Sequence, residues 1–197
     1  MISKFRIGAL VIILNFFASV AMIWGQDNPS LLQMAVPSLN IAPDARGGGM
    51  GDMGAATLPD INSQYWNAAK YAFMGSKAGV SLSYTPWLRK LVNDVALVNM
   101  TGYYKLGNSD LQAISASLRY FSLGEVNIWE NIGDVPYGLN PYEMAFDVAY
   151  SRKLSESDSR AVTLRYIRSD MGTDQNDESN AGNAFSADIS GYLEKYV

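Results

Sequence analysis

Between about Ala78 and Val197, apolar residues alternate with small or polar residues in six separate runs. Because successive side chains of a β-strand point to opposite faces, each run predicts a strand with one apolar and one polar face. The connections between the runs are alternately short and long. This arrangement is typical of an outer-membrane β-barrel, in which one strand face meets lipid and the other meets a lumen. The sequence therefore predicts an all-β fold, an antiparallel transmembrane β-barrel.

The alternation also predicts which side chains meet lipid. The predicted strands cover residues 79–87, 95–106, 111–123, 142–154, 161–169 and a sixth run from about 184. Charged residues fall on the polar face of these runs, at Arg119, Asp147, Arg165 and Asp188. A cation that faces lipid near the midplane costs roughly 2–4 kcal/mol, so we expect these charges to face the lumen and to pair there. Near strand ends on the apolar face, an aromatic girdle is predicted at Tyr120, Tyr150 and Tyr166.

The lengths of the connections predict the direction of the strands. Residues 107–110 and 155–159 form short polar connections, whereas 88–94, 124–141 and 170–183 form long ones. Barrels of this class have short turns on the periplasmic side and long loops outside. We therefore expect the first, third and fifth strands to run outward, and the segment before them to start in the periplasm.

Residues 1–25 have the features of a secretory signal peptide. Lys4 and Arg6 precede an apolar stretch at 7–23, and we place cleavage near Gly25. An uncleaved membrane anchor is the alternative, although polar residues follow the stretch at once. Cleavage removes two of the 15 basic residues and leaves 13 against 19 acidic ones, a net charge of −6. Such a charge disfavours nucleic acid as a partner.

The composition excludes several kinds of active site. The chain has no Cys and no His. It therefore has no disulfide, no thiol nucleophile, no cysteine for a lipoprotein anchor and no Ser-His-Asp triad. Zinc is bound mainly through His and Cys, so a zinc site is not expected. We predict no catalytic residue, no cofactor and no metal site.

Two other folds, a helical membrane protein and a soluble β-sandwich, fit the sequence less well than a barrel. No segment after the signal peptide has the roughly 20 apolar residues of a transmembrane helix, which excludes a helical membrane protein. A soluble β-sandwich also alternates, but it would need a second sheet to cover the apolar faces. Six strands cannot close a membrane barrel, because the smallest have eight. We therefore expect this chain to be the first part of a larger barrel, with residues 78–197 in its wall.

Residues 26–77, which we call the head, differ from the predicted strands. The head contains four prolines, a glycine cluster at 47–54, and at 60–73 a predicted short helix. Gly49, Gly51 and Gly54 fit the dinucleotide pattern G-x-G-x-x-G, but no strand precedes them and no βαβ unit follows. The glycines instead predict close packing of the backbone, as in a plug that presses against a barrel wall.

Five segments carry a resemblance to a known family. They read PDARGGGMGDMGAAT at 43–57, YWNAAKYAF at 65–73, SYTPWLRKL at 83–91, SLRYFSLGE at 117–125 and LRYIRSD at 164–170. Together they resemble the PorV family, outer-membrane proteins of the Bacteroidetes type IX secretion system that are similar to FadL-type transporters. The resemblance covers essentially the whole chain after the signal peptide. It implies a FadL-like barrel of fourteen strands with an N-terminal hatch, of which this chain would hold the hatch and about six strands.

The resemblance also assigns structural residues. Two groups match the hatch motifs of the family, at Arg46, Gly48, Gly49, Met50, Gly51 and Asp52, and at Trp66, Asn67 and Ala69. The second motif resembles the Asn-Pro-Ala of FadL-like proteins, with Ala68 in place of the proline. That departure weakens the case for a fatty-acid channel. No catalytic residue is implied.

What the resemblance implies about function is a non-enzymatic shuttle in the cell outer membrane. Such proteins accept secreted cargo from the translocon through the C-terminal domain of the cargo. They deliver it to a surface sortase-like complex, which attaches it to lipopolysaccharide. The long loops at 124–141 and 170–183 offer surfaces for cargo, and the candidate contact residues are Trp129, Tyr137 and Tyr142.

Two other functions remain open at this point. One is a FadL-like channel for small hydrophobic molecules, and the other is a lipid A deacylase, against which the absence of His counts. The segment DQNDES at 174–179 has oxygen ligands at alternate positions, as in a calcium loop. It lacks the glycine and the distal glutamate of an EF-hand, so a solvated loop is favoured.

Overall fold

Six long antiparallel strands form one sheet in the computed structural model of this protein, in the order β1-β2-β3-β6-β7-β8. The structure describes residues 36–87, 94–107, 111–128, 137–173 and 179–194. The long strands are β1 (Ala78–Pro86), β2 (Val95–Leu106), β3 (Gln112–Leu123), β6 (Tyr142–Lys153), β7 (Asp158–Thr173) and β8 (Ser179–Leu193). The all-β prediction is confirmed, and the predicted signal peptide lies outside the described residues.

Every neighbouring pair in this sheet is antiparallel, as expected for strands joined in sequence by hairpins. Within the described residues β1 and β8 each pair on one side only, so the sheet is not closed and is consistent with a partial barrel. The connections β2–β3 and β6–β7 lie at the same end of the strands, which we call the turn end. The connections β1–β2, β3–β6 and β7–β8 lie at the opposite end of the strands, which we call the loop end.

The two faces of the sheet have inverted polarity. Apolar side chains on one face are exposed, with Val80 and Leu82 of β1 at 72% and Ile189 of β8 at 85%. Polar side chains on the other face are buried, including Asn99, Thr101, Ser117, Arg119 and Asp147. A soluble protein buries its apolar residues, so the β-sandwich alternative does not fit. The predicted separation of apolar and polar side chains onto opposite faces is confirmed for the described strands.

The head packs on the polar face. It contains two 3₁₀ turns, η1 (Pro37–Asn40) and η2 (Ala68–Phe73), and two short helices, α1 (Ala45–Gly49) and α2 (Ser63–Trp66). The single helix predicted at 60–73 is therefore two elements, because Asn67 has extended backbone angles of φ −167° and ψ 97°. Small residues let η2 approach the sheet, in a buried cluster of Ala68, Ala69, Tyr71, Tyr103, Ala113, Ala149, Ala161 and Tyr192.

The described head crosses the polar face from the loop end to the turn end. At the loop end the backbone N–H of Ser38 donates to Oε2 of Glu143, the second residue of β6, at 2.9 Å. At the turn end the hydroxyl of Ser159, near the start of β7, donates to the carbonyl of Ala69 at 2.8 Å. Although we expected the head to start on the periplasmic side, its first described residues lie at the loop end.

Two features at the loop end were not predicted. A hairpin of β4 (Val126–Ile128) and β5 (Tyr137–Leu139) lies inside the long connection 124–141. β7 and β8 also continue through much of the region predicted as the loop 170–183, with an irregularity in their register between Asp170 and Thr173. Both changes leave more of the backbone paired, which satisfies its hydrogen bonds beyond the apolar band. The calcium-like segment falls almost wholly outside the described residues.

The described residues include no helix that is long and apolar enough to span a membrane.

Candidate functional site

The glycine cluster of the head is built around the indole ring of Trp66. A Cβ atom added to Gly47 or Gly54 would lie less than 3.0 Å from that ring, so larger residues do not fit there. Asp44 begins α1 and accepts a hydrogen bond from the backbone N–H of Gly47 at 2.9 Å. The expectation that these glycines allow close packing is confirmed for Gly47 and Gly54.

The other residues of the first hatch motif have different roles. Gly51 and Asp52 adopt positive φ angles of 73° and 58°, which turn the chain sharply after α1. Arg46 is half exposed and pairs with Asp60 at 2.7 Å. Met50 ends α1, with its backbone N–H bonded to the carbonyl of Arg46 at 3.1 Å.

Gly48 and Gly49 do not contribute to this packing. Both are exposed, and an added Cβ at either position would meet nothing within 4 Å. The sequence places them with the packed glycines, but the structure does not.

Asn67 joins three parts of the structure. Its Oδ1 accepts from the backbone N–H of Ala69 and so begins η2, at 3.1 Å. Its Nδ2 donates to the carbonyl of Ala55 in the glycine-rich segment at 3.3 Å and to the carbonyl of Gly191 in β8 at 2.9 Å. Ala68, where the FadL-like motif has proline, is the first residue of η2. A proline is tolerated at such a position, so the alanine keeps the same turn.

Two buried residues of η2 were missed by the sequence reasoning. Lys70 is fully buried, and its Nζ donates to the carbonyl of Gly54 at 2.8 Å and to the hydroxyl of Thr57 at 3.1 Å. Burial lowers the pKa of this ammonium group, although the carboxylate of Asp60 opposes the shift. A single lysine inside the apolar run YWNAAKYAF was the available signal.

Tyr71 is the second missed residue. Its ring is fully buried and stacks on Tyr103 of β2, with ring centroids 4.9 Å apart. Its hydroxyl donates to the carbonyl of Ile61 at 2.8 Å and accepts from the backbone N–H of Gln64 at 2.9 Å. Burial raises the pKa of this phenol above its ordinary value.

Charged residues of the wall hold the head in place at the loop end. Arg119 of β3 donates from Nη1 to the carbonyls of Ser38 at 2.7 Å and Ile41 at 3.1 Å. Its guanidinium lies 4.4 Å from the ring centroid of Tyr65, in cation–π geometry. Glu143 bonds the backbone N–H of the same Ser38, so η1 is held by one cation and one anion.

The remaining predicted lumenal charges pair across strands. Asp147 of β6 accepts from Nε of Arg165 in β7 at 2.7 Å and from the hydroxyl of Ser117 in β3 at 3.2 Å. Asp188 of β8 lies 3.9 Å from the guanidinium of Arg165. The predicted pairing is confirmed for Asp147, Arg165 and Asp188, whereas Arg119 bonds to backbone carbonyls of the head. Among the described residues no cluster of His, Cys, Asp or Glu could hold a metal ion.

Two of the three candidate cargo residues, Tyr137 and Tyr142, belong to strands that meet the loop end. Tyr142 begins β6, stacks on Tyr120 with ring centroids 5.5 Å apart, and accepts at its hydroxyl from Nε of Arg168 at 3.1 Å. Tyr137 is in β5, opposite Ile128. Trp129 lies outside the described residues.

The hairpin β4–β5 contacts the extension of β7. Leu139 of β5 lies against Gly172, which has a positive φ of 95° and where an added Cβ would meet the Leu139 side chain at 3.0 Å. On the β3 side, the backbone N–H of Glu125 donates to the carboxylate of Asp94 at 3.0 Å. The hairpin and the β7 extension together form a structured rim at the loop end.

Comparison with known proteins supplies the family. No curated protein matches this chain. The family model described as type IX secretion system protein PorV matches residues 25–196, which include the head and all eight strands. The chain therefore belongs to the PorV family of type IX secretion system proteins.

Proposed function

We propose that this chain is a non-enzymatic component of the outer membrane that receives secreted cargo from the type IX translocon and passes it to the surface attachment complex. The observation that carries the proposal is the family match over residues 25–196, since that family consists of components of this secretion system. The shuttle role, its partners and the location of the protein in the membrane are the parts that go beyond the match.

The inverted sheet supports a location in the membrane. An apolar face with exposed residues on all six long strands is a liability in water, whereas in a bilayer it is the surface that lipid covers. The buried polar face then belongs to a lumen. On this reading the head is the hatch, and the turn end is the periplasmic side.

The hatch supports a route for cargo outside the lumen. It is bonded to β3 and β6 at the loop end and to β7 and β8 at the turn end. A folded cargo domain could not pass without breaking these contacts. We therefore propose that cargo binds at the loop end, where Tyr142 offers an aromatic contact. Trp129 and Tyr137 are further candidates from the sequence.

Deletion of the gene tests the proposal. We expect secreted proteins to lose their surface attachment and to keep their C-terminal domains uncleaved. Normal attachment of cargo in the deletion strain would refute it. Impaired uptake of hydrophobic compounds with normal attachment would indicate a channel, and an altered acyl profile of lipid A would indicate a deacylase.

Substitutions of the candidate cargo residues test where cargo binds. Trp129→Ala combined with Tyr142→Ala should reduce surface attachment while the protein remains in the membrane at its normal level. Tyr84→Ala is the matched control, because Tyr84 is an exposed aromatic residue of β1 outside the rim. Equal attachment in the double variant and the control would place cargo binding elsewhere.

A further inference from the structure

Two arginines lie side by side on the apolar face at the turn end. Arg152 of β6 and Arg160 of β7 are directly opposite each other in the antiparallel register, and Gln112 of β3 is opposite Arg152. They share the pleat of Tyr150 and Val162, which point to the apolar side. Like charges directly opposite each other destabilise a strand pair. Asp158 offsets the charge of Arg160, so the charge of Arg152 is the one left for an external anion.

Gln112, Arg152 and Arg160 form a row across three strands at the turn end. This row keeps a net positive charge and hydrogen-bond donors without a partner among the described side chains nearby. Arg160 pairs with Asp158 at 3.0 Å, and its guanidinium lies over Gly191. Arg152 is exposed, and no described side chain forms an ion pair with it. The hydroxyl of Tyr150 donates to Oε1 of Gln112 at 2.9 Å, which turns the amide NH₂ of Gln112 toward other acceptors.

An apolar depression begins beside this row and runs toward the loop end. Gly102 and Ala116 are opposite each other in β2 and β3 and form its floor. Larger residues surround them, and the depression has a volume of about 790 Å³ with walls that include Met100, Tyr104, Ile114, Leu118, Phe146 and Tyr150.

The length of the depression suits one membrane leaflet. The row of Tyr150 and the row of Phe146 are four residues apart along β6, or roughly 13 Å at the rise of a strand. One leaflet is about half of the roughly 30 Å hydrocarbon core. An acyl chain anchored at the turn end would therefore lie within the depression along its length.

We propose that this surface binds one glycerophospholipid of the periplasmic leaflet. Its phosphate is held by Arg152, Arg160 and the amide of Gln112, and one acyl chain lies over Gly102 and Ala116. The site rests on the proposed location in the outer membrane with the turn end toward the periplasm. A phospholipid supplies both the anion and the apolar chain at the observed spacing, whereas free phosphate leaves the depression open to bulk lipid.

The test uses the full-length protein in vesicles of phosphatidylethanolamine that carry a photoactivatable acyl chain. Crosslinks should concentrate on peptides from β2, β3 and β6. Arg152→Gln combined with Arg160→Gln should reduce them by about tenfold. Lys77→Gln is the control, since it removes a cation at the same end of the sheet before β1 begins. Heat-modifiable migration in gels checks that each variant is folded.

A second pair of variants tests the depression itself. Ala116→Phe should fill its floor and abolish the crosslinks on β2 and β3. Ala187→Phe should leave them unchanged, because Ala187 faces the same side of β8 outside the depression. Uniform labelling around the apolar face, or crosslinks unaffected by these changes, would show annular lipid only and overturn the proposal. So would protection of the depression by a partner protein in native membranes.

The outcome is separable from that of the secretion experiment. Labelling of the purified protein does not depend on cargo, so the vesicle experiment alone tests the lipid site. Loss of cargo attachment on gene deletion, together with uniform labelling, would leave the proposed function intact and remove the lipid site.

Discussion

At the scale of single residues, Trp66 explains the glycine-rich sequence that precedes it. Gly47 and Gly54 must be small because the indole ring occupies the space of their side chains, whereas Gly51 supplies a positive φ angle. Gly48 and Gly49 meet neither requirement. The glycines of the segment 47–54 therefore differ in their tolerance to substitution.

This difference gives the first prediction. Gly54→Val should destabilise the head by about 1–3 kcal/mol, because the new side chain must displace the Trp66 ring. Gly49→Ala is the matched control and should be close to neutral, since its Cβ meets nothing within 4 Å. Proteolysis of the head in the folded protein measures the effect. Equal protection of the two variants would contradict the packing role of Gly54.

Tyr71 gives a prediction about pH. Tyr71→Phe should lower stability at pH 7 by about 1–3 kcal/mol, since the backbone groups of Ile61 and Gln64 lose their partner. Because the folded state raises the pKa of this phenol, its contribution is complete below the ordinary value of 10.0 and is lost as the pH rises above it. The difference between the wild type and the variant should therefore shrink above about pH 10.

Urea unfolding at several pH values, followed by tryptophan fluorescence, measures that difference. Lys70 has a lowered pKa and an effect of opposite sign, because the unfolded chain binds more protons just below its ordinary value of 10.5. Its effect is present in both proteins and cancels in the comparison. A difference that stays constant up to pH 11 would rule out the assigned role of Tyr71.

Some residues of the site could be predicted from the sequence and others could not. The charges of the polar face, Arg119, Asp147 and Arg165, followed from strand periodicity, because a two-residue period fixes their face. Lys70 and Tyr71 lie in a 3₁₀ turn, where no simple period distinguishes buried from exposed positions. Their roles depend on contacts with residues at 54–64 and on β2, which local sequence does not encode.

At the scale of elements, the head is held to the wall mainly by polar contacts. Arg119 and Glu143 fix η1, and Ser159 fixes η2. These wall groups come from strands that are far from the head in sequence. The head and the sheet should therefore unfold together unless one of these contacts is removed.

Arg119→Met provides that test. The variant leaves the carbonyls of Ser38 and Ile41 without their donor and removes the cation beside the ring of Tyr65. Losing a hydrogen bond from a charged donor costs about 1.5–3 kcal/mol, so hydrogen exchange at residues 36–44 should increase while the strands remain protected. Arg168→Met, on the opposite pleat, should leave exchange in the head unchanged. Equal exchange in the two variants would show that Arg119 does not hold η1.

The strands themselves were largely predictable. The alternation placed β1, β2, β3 and β6 within one residue of their observed ends, because the two faces of these strands differ strongly in polarity. β7 and β8 continue past this alternation. Outside the apolar band, backbone pairing does not need alternating side chains. The three-residue strands β4 and β5 are too short for any period to be read.

At the scale of the whole molecule, the sheet is inverted relative to a soluble protein. Its polar face is buried under the head, and its apolar face is exposed on all six long strands. The strands at both edges have one unpaired side within the described residues. These properties agree with membership of a secretion family whose members are expected in the outer membrane.

The measurement that tests this account most directly is quenching by brominated lipid. This chain has no cysteine, so single substitutions in it can carry a fluorophore when the protein is reconstituted in bilayers. Labels at Phe146→Cys and Val148→Cys should be quenched strongly, and labels at Ala145→Cys and Ala149→Cys should not. Alternation of this kind along β6 is the predicted result. Equal quenching at all four positions, or strong quenching at Ala145 and Ala149 instead, would contradict a lipid-facing apolar surface with the head on the other side.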